Sequence, residues 1–101
     1  MTRATLLLRY KRTDMDGDII EQVAWKVPAS ILQPEGVRYR FAFLRHGERT
    51  PAVLYDNHHP KGHHKHVGGF EHPVEFKGLE LLLDDFEKDV ADFKARRRGT
   101  K

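Results

Sequence analysis

Apolar and polar positions alternate along much of the first three quarters of the chain, and near its end apolar positions recur every three or four residues. From Val37 the alternation is plain: Val37, Tyr39, Phe41 and Phe43 point one way, while Arg38, Arg40, Ala42 and Leu44 point the other. That is a strand with one core face and one half-basic face. Upstream, ATLLLRYKR is a short apolar-to-basic run and IIEQVAWKV is rich in β-branched and aromatic residues. The Asp-Gly pair in the intervening TDMDGD predicts a tight turn, so the three segments read as a β-hairpin. Pro28 ends the second strand because it cannot donate to a ladder, and ASILQPEG is a connection. After the turn at HGE, RTPAVLYDN predicts a fourth strand with Val53 and Tyr55 on one face and Leu54 and Asp56 on the other. Pro51 implies that this strand lies at an edge or is bulged near its start. FEHPVEF is a candidate for a further short strand.

The period then changes. Leu79, Leu82, Leu83, Phe86, Val90 and Phe93 follow helical spacing, with Glu80, Asp84, Asp85, Glu87, Lys88 and Asp92 on the other side. This predicts an amphipathic helix of roughly 17 residues whose apolar stripe covers one face of the sheet. The expected fold is α+β: an antiparallel meander of four to five strands with one C-terminal helix packed on one face. Residues 1–93 are expected to form a single domain and 94–101 a basic, frayed tail.

At 101 residues and 39% hydrophobic, the chain has room for one core. It holds no cysteine, which excludes disulfides and thiolate metal sites, and its three-leucine N-terminal run is too short for a leader or a membrane span. The expected location is cytoplasmic. Charge is segregated: residues 1–66 carry +4, residues 67–93 carry −6 and residues 94–101 carry +5. A polyanion is attracted to the first block and the tail and repelled by the acidic segment between them.

The densest chemistry is YDNHHPKGHHKHVGG, where His58, His59, His63, His64 and His66 crowd into nine positions. Three uses are open. Imidazoles with Asp56 could ligate a metal, but all candidates sit on one Gly- and Pro-containing stretch, expected to be a loop, which favours opportunistic binding over a built site; no resident metal or cofactor is expected. Proton transfer needs fewer assumptions, because metal-free RNA cleavage requires a base, an acid and cations on the phosphate. His64 and His66 are candidates for the acid and base, with Asp56 orienting an imidazole and Tyr55 stacking on a base or donating a proton. Arg38, Arg40, Arg45, Lys61 and Lys65 are candidates for RNA phosphate, and Asn57, Gly62, Gly68 and Gly69 shape the loop. Taken singly, Tyr55 also reads as a packed strand residue, Asp56-Asn57 as a strand-ending pair, and Arg38 and Arg40 as a solvated face. The third use is non-catalytic binding of RNA or a partner.

Tyr55-Asp56-Asn57, Lys61-Gly62, His64, His66 and Gly68-Gly69, together with ATLLLRYKRTDMDGDIIEQVAWKVP, YRFAF and LLLDDFEKDV, resemble the TumE-type toxins of bacterial toxin–antitoxin systems. The resemblance spans nearly the whole chain. It implies a growth-inhibiting toxin acting on RNA or translation, a metal-independent ribonuclease being the expected form. It also implies a cognate antitoxin with a helix-turn-helix DNA-binding fold. Its hallmark positions are Tyr55, Asp56, Asn57, His64 and His66, with His58, His59 and His63 as additions. RNA and the antitoxin are the expected partners, no membrane is involved, and a homodimer is left open.

Overall fold

The computed structural model describes residues 3–31, 33–58 and 62–99. The alternating segments become β1 (Thr5–Thr13), β2 (Ile19–Lys26), β3 (Val37–Leu44), β4 (Val53–Asp56), β5 (His64–Val67) and β6 (Phe70–Pro73), and the helical pattern becomes α1 (Leu79–Gly99). The strands pair antiparallel in chain order, β1-β2-β3-β4-β5-β6, as one open meander. The fold is thus α+β as expected, with six strands instead of four to five. The strand that the pattern concealed is β5, which occupies part of the expected histidine loop. His64-Lys65-His66 has no apolar alternation to announce it, and it is made a strand by ladders to β4 on one side and β6 on the other. For the same reason β4 is internal, not an edge: Pro51 precedes the strand and takes no donor from its ladder, while Ala52 N–H donates to the Phe43 carbonyl at 2.8 Å.

The core lies between the sheet and α1. Tyr39, Phe41, Phe43, Val53 and Tyr55 project from one face of β3 and β4 and are buried beneath Leu82, Phe86 and Val90. The Phe86 ring meets Phe41 and Tyr55 edge-on at centroid distances of 5.7 and 5.6 Å, and Phe93 meets Phe43 at 6.2 Å. Buried aromatic area on this scale is the main stabilising term of so small a sheet.

The helix continues beyond the end of its apolar stripe at Phe93 to Gly99. Lys94, just past the stripe, reaches the β1–β2 turn and forms ion pairs with Asp14, with Asp16 at 3.1 Å and with Asp18 at 3.3 Å. The turn itself is shaped by Asp14, whose Oδ1 accepts from the backbone N–H of Asp16 and of Asp18.

Candidate RNA-binding and histidine site

Because directly paired residues of an antiparallel sheet share a face, the register locates the candidate side chains that lie on strands. Arg40 pairs with Asp56 and Asp56 with His64, so these three form one row across β3, β4 and β5. The parity opposite to the core puts this row on the helix-free face, with Arg38 two residues along β3 and His66 two residues along β5. Adjacent strands lie about 4.8 Å apart, so Arg40 and His64 are ~10 Å from one another along the row. The basic strand and the paired imidazoles therefore share a surface, and the acidic helix is on the other side.

Trp25 completes that surface. It sits half-buried on β2 directly opposite Arg38, and the Arg9 guanidinium lies 5.9 Å from its ring centroid. Trp25, Val23, Arg38, Arg40 and His58 line an open groove of about 330 Å³.

His64 is the most constrained histidine on this face. It is 7% exposed; its Nδ1 lies 2.8 Å from the Gly62 carbonyl and its Nε2 lies 3.0 Å from Asp56 Oδ1. Both nitrogens face acceptors, so neither is open to substrate as the side chains stand. His66 is half-buried, with its ring edge-on to His64 at 5.2 Å and its Nε2 3.9 Å from Glu71 Oε1.

The remaining candidates lie elsewhere. Tyr55 and Lys65 pair with one another on the opposite, helix-facing side, where both bind Asp89, Tyr55 through its hydroxyl at 2.5 Å and Lys65 at 2.9 Å. Burial first, and then the Asp89 hydrogen bond, push the Tyr55 hydroxyl far above the ordinary tyrosine range. Tyr55 thus packs against Phe86 at 1% exposure, on the face away from the arginine row. Lys65 belongs to the same helix-side contact and not to the arginine row. Arg45, beyond the far end of β3, pairs with Glu48 and lies over the Phe93 ring. Asn57 is buried, with its Oδ1 accepting from Tyr39 N–H at 3.0 Å and its Nδ2 donating to the Val37 carbonyl at 2.8 Å; it extends the β3–β4 pairing past the end of the strand. Lys61 and His59 lie outside the described residues.

His63 also turns away from the groove. It packs against Phe76 at 4.8 Å and Tyr39 at 5.6 Å, its ring nitrogens bonded to the Tyr39 hydroxyl and to Glu35, each at 2.9 Å. That hydrogen bond holds the Glu35 carboxyl below its usual range, with burial opposing it.

Two residues of this face escaped the sequence reading, Trp25 and Glu71. Trp25 shares the parity of Val23, but only the β2–β3 register shows that it stands beside Arg38. Glu71 had a usable signal: if Gly68-Gly69 is a two-residue turn, Val67 pairs with Phe70 and His66 with Glu71, as observed.

A six-stranded antiparallel sheet covered by one helix, bearing an aromatic and cationic groove beside a histidine-carboxylate patch, defines a small α+β protein. The family model described as Toxin TumE matches residues 2–94, and the chain belongs to that family of toxins. Searches of curated proteins and of solved structures return no match. Among the described residues no helix is long and apolar enough to cross a membrane.

Proposed function

We propose that the chain acts on single-stranded RNA through its helix-free face. The observation that carries this reading is the shared groove of Trp25, Arg38 and Arg40, continuous through Arg40 with the Asp56–His64 row. An aromatic platform flanked by guanidinium groups suits single strands, because every base has a stacking face and every nucleotide a phosphate. Cleavage at the histidine end would join the 2′-oxygen to phosphorus and break the bond to the 5′-oxygen, leaving a cyclic phosphate and a 5′-hydroxyl. The proton lost by the 2′-hydroxyl is balanced by the one gained by the 5′-oxygen. In a metal-free version of this reaction His66 is the better-placed proton carrier, since His64 is held at both nitrogens. A cognate antitoxin, for which a helix-turn-helix DNA-binding protein is the expected kind, would neutralise the toxin by covering the groove with an acidic segment.

The chain has one tryptophan, so its fluorescence reports directly on the proposed platform. A single-stranded RNA oligonucleotide should quench it on binding. Trp25→Ala should weaken binding by about 1–3 kcal/mol, and the Arg38→Ala, Arg40→Ala double variant should weaken it and flatten its salt dependence. RNA affinity unchanged in both variants refutes the groove. Binding without any scission, unaltered in His66→Ala, would leave a non-catalytic RNA-binding toxin.

A further inference from the structure

His64 and His66 stand two residues apart on β5 and project from the same face. Directly across from His64 is Asp56 on β4, and directly across from His66 is Glu71 on β6. Three strands therefore bring two imidazoles and two carboxylates to one patch. One ligand-type atom from each of His64, His66 and Glu71 falls within 4.8 Å of the other two. Metal bonds of about 2.1 Å at a tetrahedral angle place two donor atoms ~3.4 Å apart. Within this group His66 Nε2 and Glu71 Oε1 lie 3.9 Å apart, close to that value.

The support around His64 fits the same purpose. Its Nδ1–H donates to the Gly62 carbonyl, which fixes the ring and turns Nε2 toward the carboxylate. Metal-ligating histidines are held by this kind of outer hydrogen bond. Gly62 has a φ of 73°, a conformation that favours glycine.

We propose that His64, His66 and Glu71 bind one divalent transition-metal ion of the zinc type, with Asp56 beside His64 Nε2. Two nitrogen donors and one oxygen donor without thiolate suit zinc, cobalt or nickel, whereas magnesium and calcium prefer oxygen shells. The Asp14–Asp16–Asp18 cluster differs because the Lys94 ammonium already lies among its carboxylates. The role of the ion, though not its binding, rests on the proposed action on RNA: beside the arginine row it would take up charge that develops on a phosphate.

The test is a calorimetric titration of zinc alone into the chelator-treated full chain, without RNA. One ion per chain is expected, with affinity reduced at least about tenfold in both His66→Ala and Glu71→Gln. His72→Ala should bind zinc as the parent does, because His72 pairs with Lys65 on the opposite face. The side chains of His66 and Glu71 are 34% and 40% exposed, so both variants are expected to fold, which a thermal melt checks. If His66→Ala does not fold, the nearly isosteric Glu71→Gln decides. No binding by the parent, or undiminished binding by the folded variants, overturns the proposal. Zinc binding with the expected losses in a protein that ignores RNA supports the metal site and rejects the RNA reading; RNA binding without zinc binding does the reverse.

Discussion

Asn57 shows how much one polar side chain can decide. At 3% exposure it serves two backbone groups of β3, the Tyr39 N–H and the Val37 carbonyl. Asn57→Ala leaves both without a partner in a buried place, where each orphan costs about 1–3 kcal/mol. A loss of ~3 kcal/mol in a urea melt is expected. Asn57→Asp keeps the acceptor but loses the donor and buries a charge, so it should be no milder; a near-neutral result for either would contradict the role described. Tyr55 carries the same lesson. Its ring fills the core and its hydroxyl serves Asp89, so Tyr55→Phe should lower stability by about 1 kcal/mol and leave RNA affinity unchanged.

Among the elements, the β5–β6 hairpin sets the geometry of the histidine patch. Gly68 and Gly69 have φ of 58° and 91°, so both central residues of the two-residue turn are left-handed, matching the twist of the strands they join. A side chain in that conformation costs roughly 1–2 kcal/mol per residue. The Gly68→Ala, Gly69→Ala double variant should therefore lower the melting temperature and loosen the pairing of His66 with Glu71. Amide exchange would show this as lost protection in β5 and β6 with β2 and β3 intact; uniform loss across the sheet would count against it. The outer strands are blunted in different ways, β1 by Arg9, Lys11 and Arg12, and β6 by its four-residue length and Pro73.

In the molecule as a whole, the sheet divides two kinds of work: one face packs on the acidic helix, and the other presents cations and imidazoles. Lys94 fastens the far end of the helix to the β1–β2 turn. Its burial lowers the ammonium pKa, but hydrogen bonds to Asp14, Asp16 and Asp18 outweigh this and raise it, while the hydrogen bond from Lys94 holds the Asp14 carboxyl below its usual range against burial. The raised group contributes stability below its ordinary value of 10.5 and loses it as pH rises through the folded value. The lowered group contributes above 3.8 and loses it as pH falls through the folded value. Lys94→Met should abolish the alkaline dependence and weaken the acid one, which the backbone N–H groups of Asp16 and Asp18 also sustain, and cost ~3 kcal/mol, because Asp18, 3% exposed, is left as a buried carboxylate without its cation. Removing residues 95–101 spares Lys94 and should leave a cooperative melt near that of the full chain. Collapse on that deletion would show that the basic end is part of the folded unit.

Alternation and helical spacing by themselves determined the class of fold, the β1–β2 hairpin, the inward row Tyr39, Phe41 and Phe43, and the stripe Leu82, Phe86 and Val90. Those are properties of near neighbours, and burial of one face follows from them. Likewise Arg38 and Arg40 were legible as an outward cationic row. The tertiary structure alone decided that His64-Lys65-His66 is a strand, that its lysine and histidines part to opposite faces, and that Trp25 stands beside Arg38. Strand pairing depends on which distant segment supplies the complementary ladder, and a shift of one residue would send every side chain of β5 to the other face.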